Sequence, residues 1–224
     1  MLAPLPSVWG RVATALLAVT IPLALLLTNV RLLLTPAYVD LAYHMPAFPD
    51  DPFGLTREER IAQANVDLDY LLNDAGPEFL GDLRFADGTA VYNERELRHM
   101  VDVKRLVQVA LRVWLASVVL AVGLGLLLSR AQGSGQVAQG LHWGSILTFT
   151  LMAVIGLGIL LGFSVVFVGF HRIFFAGDSW LFYYSDTLIR LFPERFWYDA
   201  FLLLAGSTLV EAAVVFVLTR ARAR

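Results

Sequence analysis

Cysteine is absent from the 224 residues, and charge is scarce. Without thiols there is no disulfide framework, no cysteine-ligated zinc or iron–sulfur site and no reactive cysteine pair for redox exchange. Charged residues are only 16% of the chain against 58% hydrophobic, whereas a soluble domain carries about 25% and about 45–50%. One small core cannot hide that much apolar side chain, so the composition reads as an integral membrane protein. Also missing are a Gly-x-Ser-x-Gly elbow, a His-Glu-x-x-His pair, internal repeats and low-complexity tracts. A serine acyl-enzyme and a zincin-type metal site therefore have no support from spacing.

What is present is four apolar stretches long enough for a bilayer core, which takes roughly 20 residues. They run from about Val12 to Leu34, Val103 to Leu128, Trp143 to Phe170 and Phe201 to Leu218. Arg11 before the first stretch, with no A-x-A site after a long apolar run, favours a signal-anchor over a cleaved signal peptide. Charge is segregated between the connections: residues 35–103 hold 14 acids and 5 arginines, and 171–199 hold 4 acids and 3 arginines. The opposite flanks carry Arg11, Arg130, Arg220, Arg222 and Arg224 with no acid among them. By the positive-inside rule both termini are cytoplasmic and the two large connections are extracytoplasmic.

The expected architecture is an all-α integral membrane protein of four transmembrane helices. The N-terminus and first span occupy 1–34, an extracytoplasmic domain 35–102, the second span 103–129, a cytoplasmic loop 130–142 and the third span 143–170. An extracytoplasmic aromatic segment fills 171–199, and the fourth span with its basic tail fills 200–224. Within 35–102, Pro36, Pro46, Pro49 and Pro52 favour extended chain. Thr56-Arg57-Glu58-Glu59 is a capping box opening a helix of about four turns, whose apolar face is Ile61, Ala64, Leu68, Leu71 and Leu72. Gly76-Pro77 stops it, Asp87-Gly88 marks a hairpin turn, and Asn93 caps a helix leading into the second span. Residues 132–135, Gln-Gly-Ser-Gly, read as a flexible linker.

His99 and His171 stand at one end of consecutive spans, which are normally neighbours, so the two imidazoles belong at one membrane face. On a helix Glu96 and Asp102 share the face of His99, and a carboxylate there would fix its tautomer and raise its basicity. The aromatics of 170–198 fit an interfacial belt, but the interleaved Arg172, Asp178, Asp186, Arg190 and Arg195 do not. A surface-lying segment presenting polar groups to a lipidic ligand accounts for both. Asp178 is expected to cap a short helix from Ser179. At about 1.5 Å per residue, Arg112 lies roughly 12 Å along its helix from Lys104 and Glu211 roughly 18 Å from Asp199. The two are expected to pair inside the bilayer.

Glu96-x-x-His99-Met100-x-Asp102-Val103-Lys104, followed by Phe170-His171-x-Ile173-Phe174-Phe175-x-x-Asp178-x-Trp180 and Pro193-x-x-Phe196-Trp197, resembles a bacterial family of four-span membrane proteins. That family, long described by its domain of unknown function, includes the lipoprotein intramolecular transacylase. The resemblance covers nearly the whole chain; one departure is Gly177, where the family often has Asn. It implies transfer of the sn-2 acyl chain of a diacylglyceryl lipoprotein to the α-amine of its N-terminal cysteine, leaving a lyso-form lipoprotein. The family's two histidines carry over to His171 and His99. The chemistry of amine attack then assigns His171 as general base and His99, oriented by Asp102 or Glu96, as its partner for proton shuttling or oxyanion stabilisation, with the two roles exchangeable. Substrate-binding candidates are Arg172, Asp178, Trp180, Arg31 and Tyr92. No metal, cofactor or nucleic acid is called for. The partners are the diacylated lipoprotein and membrane lipid, with the protein acting as a monomer in the bacterial cell membrane. Competing readings are a metal-dependent membrane hydrolase with His99, Asp102, His171 and Asp178 as ligands, a bis-histidine haem protein and a non-enzymatic membrane subunit.

Overall fold

A computed structural model describes residues 7–223; Arg224 of the basic tail lies outside them. The described residues form eight helices: α1 (Ser7–Leu33), α2 (Pro36–His44), α3 (Arg57–Leu72), α4 (Glu78–Gly81), α5 (Glu94–Gln132), α6 (Ser134–Phe174), α7 (Thr187–Leu191) and α8 (Glu194–Thr219). Four of them, α1, α5, α6 and α8, are long and apolar enough to cross a membrane. The protein is an all-α, multi-pass membrane protein. No strand forms among the described residues, only an isolated bridge between Arg84 and Ala90 around the Asp87-Gly88 turn.

Local chemistry starts the helices where the sequence marks them. Thr56 and Glu59 complete a reciprocal capping box at α3. Asn93 Oδ1 accepts from the Glu96 N–H at 3.1 Å while Glu96 Oε2 accepts from the Asn93 N–H at 2.8 Å, a second capping box that opens α5. Both satisfy helix N–H groups that have no intrahelical partner. Pro36 departs from expectation. Residues 36–44 are helical, because proline at the first helical position gives up an N–H that needs no partner and arrives with helical φ. The linker expected at 132–135 shrinks to Gly133, whose φ of +86° turns the chain directly into α6.

The chain divides into two compact units. Among the described residues the first comprises 7–31, 111–157 and 202–223; the second comprises 32–110 and 158–201. In the first, Ala13, Leu17 and Ile21 of α1 pack with Leu124 and Leu128 of α5. Gly140 and Gly144 let α6 lie against α1. A Cβ at Gly144 would stand 2.7 Å from Ile21 Cβ and 3.1 Å from the Ala18 carbonyl oxygen, the close approach that small residues four apart allow in membrane helices. Asn29 Nδ2 donates to Glu211 Oε2 at 2.8 Å and to Thr208 Oγ1 at 3.1 Å. The expected Arg112–Glu211 pair is therefore not formed: Asn29 on α1 reaches the carboxylate, and Arg112 lies on an exposed face of α5.

The second unit has two cores. Tyr38, Val39, Ala42 and Tyr43 of α2 pack with Ala64 and Leu68 of α3 and Phe196 of α8. Tyr70, Leu80, Val91, Tyr92 and Met100 surround Leu188 and Leu191 of α7. Buried hydroxyls find carbonyls across these cores. Tyr43 donates to Leu191 O at 2.6 Å, Tyr38 to Phe196 O at 2.8 Å and Thr187 to Val91 O at 2.5 Å. Arg60, only 3% exposed, donates to Pro49 O and Arg190 O, each at 2.8 Å, with its guanidinium over Tyr43. Residues 187–196 are thus fixed by partners distant in sequence.

Candidate active site

His99 sits about one and a half turns into α5 and His171 near the end of α6, past Gly162, whose non-helical φ and ψ interrupt the helix. The imidazoles are nearly parallel, inclined by 21° with centroids 6.0 Å apart, and are 8% and 9% exposed respectively. Aromatic rings enclose them. Phe175 and Phe182 meet the His99 ring edge-on at 4.9 and 5.3 Å, while Phe167 and Trp180 cover His171 at 4.2 and 5.1 Å.

Hydrogen bonding distinguishes the two histidines. His171 Nδ1 lies 2.8 Å from the Phe167 carbonyl oxygen. A carbonyl only accepts, so in the neutral ring Nδ1 carries the proton and Nε2 keeps the lone pair. His99 Nδ1 is buried without a hydrogen-bond partner, so its orientation is set by ring packing alone. A neutral imidazole with a free Nε2 inside an aromatic, water-poor wall is equipped to take a proton from an amine or hydroxyl brought alongside.

The carboxylates expected to orient His99 are engaged elsewhere. Glu96, 2% exposed, accepts from the Asn93 N–H and, through Oε1, from the Leu188 N–H at 2.8 Å. It thereby ties the start of α5 to the start of α7. Asp102 accepts from Arg105 three residues on, at 3.3 Å. Of the substrate-binding candidates, Trp180 is brought onto His171, whereas Arg172 and Asp178 are exposed. Arg31 lies in the last turn of α1 and belongs to the other unit. Tyr92 is 3% exposed and donates to Asp67 Oδ1 at 2.5 Å, itself accepting from Gln63 Nε2 at 3.0 Å. Burial pushes the Asp67 carboxyl up to about 8 despite the Tyr92 and Gln63 hydrogen bonds, and burial likewise raises the Tyr92 phenol. Tyr92 therefore serves the interior of its unit.

No helix starts at Ser179. Gly177, at φ +69°, turns the chain, and Trp180 Nε1 donates back to Gly177 O at 3.1 Å. The short helix begins instead after Asp186. The interleaved charges that an aromatic belt left unexplained are in large part ion-paired: Asp186 with Arg95 at 2.8 Å and Arg190 with Asp51 at 2.9 Å across the fold, and Arg195 with Asp199 at 2.7 Å within α8. Among the described residues no three His, Asp or Glu side chains could share a metal ion, so His99, Asp102, His171 and Asp178 do not assemble as a ligand set. Phe175 belongs to the motif around His171, whereas Phe182, one more phenylalanine in an aromatic run, carries no signal of its own in the sequence.

Comparison with known proteins agrees with this layout. Residues 15–197 match the profile of the family described as "Lipoprotein intramolecular transacylase Lit". An "uncharacterized protein" of Aquifex aeolicus is 30% identical over 196 residues, 87% of each chain. Among solved structures, that of the membrane-integral lipoprotein intramolecular transacylase Lit of Bacillus cereus superposes with a TM-score of 0.81 at 22% identity, covering 97% of both chains. A structure of the same protein with one histidine replaced by alanine gives a TM-score of 0.68 at 21% identity, over 95% of this chain and 93% of that one.

Proposed function

Because the chain belongs to the Lit family of lipoprotein intramolecular transacylases, we propose that it catalyses acyl migration within diacylated lipoproteins. The sn-2 acyl chain of the diacylglyceryl group passes to the α-amine of the N-terminal cysteine. The products are an N-acylated cysteine and a free sn-2 hydroxyl. The observation that carries this reading is the pair of aromatic-walled imidazoles, with His171 Nε2 left free by the Nδ1–H···O=C bond to Phe167.

In this reaction His171 Nε2 removes a proton as the amine attacks the ester carbonyl carbon. A C–N bond forms and a tetrahedral oxyanion develops. Collapse breaks the acyl C–O bond, and the imidazolium returns its proton to the departing glyceryl oxygen, so no net proton is consumed. General base assistance of this kind is worth roughly 10²–10⁴-fold. His99 is the second polar group within the same walls and acts as proton partner or oxyanion donor. The aromatic walls accept the acyl chains and keep out water, which would otherwise hydrolyse the ester. The arginine bias of the flanks supports an orientation with both termini in the cytoplasm and the histidines at the extracytoplasmic face of the bacterial cell membrane.

The test is expression in cells that make diacylated lipoproteins, with mass spectrometry of the N-terminal lipopeptide. The expected product carries one amide-linked and one ester-linked chain. Lipoproteins that keep a free α-amine and two esters refute the proposal. His171→Ala and His99→Ala should each abolish conversion with membrane insertion intact, and conversion surviving either change removes that histidine from the mechanism.

A further inference from the structure

His99 has no carboxylate to orient it, which leaves open what holds the rings that do. Phe175 is tied to the His171 turn by its N–H, which donates to His171 O at 2.8 Å. Phe182 stands on the connection between α6 and α7 and needs an anchor of its own. That anchor is Asp186. Its backbone has the extended geometry of a helix N-cap (φ −68°, ψ 142°), yet its side chain makes no capping bond to α7. The carboxylate is directed elsewhere. Oδ2 accepts from Arg95 Nη2 at 2.8 Å and from the Tyr183 N–H at 2.9 Å, and Oδ1 accepts from Asn93 Nδ2 at 3.1 Å. The Arg95 guanidinium lies 5.8 Å from the Phe182 ring centre and 4.9 Å from that of Tyr183.

We propose that Arg95 and Asp186 are positioning residues for His99: their ion pair holds the 182–186 stretch against the first turn of α5 and so seats Phe182 on the imidazole. An exposed ion pair contributes little on its own. This one differs, because the Asp186 side chain is only 12% exposed and every carboxylate bond reaches either the stretch that carries Phe182 or the turn that precedes His99. Glu96 supports the same junction by accepting from the Leu188 N–H. Losing the clasp frees Phe182, opens His99 Nδ1 to water and lets the ring reorient. Misplacement of a catalytic group by about 1 Å costs up to about 10²-fold in rate.

This inference rests on the transacylase reading only for its rate measurement, and a second readout stands apart from it. With purified full-length protein and a diacylated lipopeptide, Arg95→Ala and Asp186→Ala are expected to lower kcat roughly ten- to a hundredfold with KM changed less than twofold. The charge-exchanged double variant R95D/D186R restores the ion pair but not the acceptor for the Tyr183 N–H, so it should regain the part of the loss that the pair carries. In protein carrying ¹³C-labelled histidine, the His99 ring signal, assigned by its disappearance in His99→Ala, should move in both single variants and shift part of the way back in the exchanged pair. Wild-type protein that lacks turnover while the His99 signal behaves in this way refutes the reaction and leaves the clasp standing. An unmoved His99 signal, wild-type kcat in the single variants or a rise in KM at constant kcat overturns the positioning role. Should the alanine variants fail to fold, Asp186→Asn, which keeps an acceptor oxygen and loses the charge, takes their place, and a wild-type kcat with an unmoved His99 signal in it overturns the role.

Discussion

Asp67 makes the second unit sensitive to alkali, and the size of the effect follows from its surroundings. The carboxyl is 1% exposed, Oδ2 is buried without a partner, and Oδ1 accepts from Tyr92. Burial raises its pKa from the ordinary 3.8 to about 8. Between those values the folded protein holds a proton that the unfolded chain has released. The stabilisation is complete below about pH 4 and is lost as pH rises through about 8. The slope in between is about 1.4 kcal/mol per pH unit, which puts the loss from pH 6 to pH 8 at about 2 kcal/mol. For a chain of this size that corresponds to about 4–8 °C in melting temperature. The assay is thermal melting in detergent from pH 5 to pH 9 for wild type and Asp67→Asn, whose amide stays neutral throughout. The wild-type curve should fall relative to the variant as pH rises and level off above about pH 9. Parallel curves, or a wild type that gains on the variant with rising pH, refute the argument that burial keeps this carboxyl protonated.

Other outcomes follow from single contacts. Gly144→Val should separate α1 from α6 and lower the melting temperature by several degrees, since even a Cβ there meets Ile21 Cβ at 2.7 Å. Gly206→Ala, whose Cβ meets nothing within 4 Å, should be neutral or raise stability by up to about 1 kcal/mol. Tyr43→Phe removes the donor to the Leu191 carbonyl and should cost about 1–3 kcal/mol in denaturant unfolding; an unchanged midpoint contradicts that bond. Glu96→Gln presents one oxygen and one NH₂ to the two backbone N–H groups now served by a carboxylate. It should destabilise by about 1–3 kcal/mol, and Asn93 or Leu188 amides that exchange no faster with solvent would refute this.

The features legible in the chain were those written by periodicity and local chemistry. Apolar runs yield four helices because a bilayer core demands about 20 apolar residues in succession. The capping boxes at Thr56–Glu59 and Asn93–Glu96 are settled within four residues. The approach of His99 to His171 follows from their places at the ends of consecutive helices. Side-chain partners were less legible, and the errors share a cause. Helical spacing puts Asp102 and Glu96 on the face of His99, but a carboxylate goes to the donor that best satisfies it. For Glu96 that donor includes the N–H of Leu188, 92 residues away. Arg112 and Glu211 lie at depths close enough to pair, yet depth says nothing about azimuth, and Asn29 reaches Glu211 instead.

The sequence by itself determined that this is a helical membrane protein with two histidines at one end of its spans, because hydrophobic length and helix caps act over short stretches of chain. Only the tertiary structure decided which groups face those histidines. Phe167 O fixes the tautomer of His171, Phe175 and Phe182 orient His99, and Arg95 with Asp186 anchors the connection that carries Phe182. Those contacts join residues far apart in the chain, where packing and the requirement that every buried donor find an acceptor outweigh any local rule.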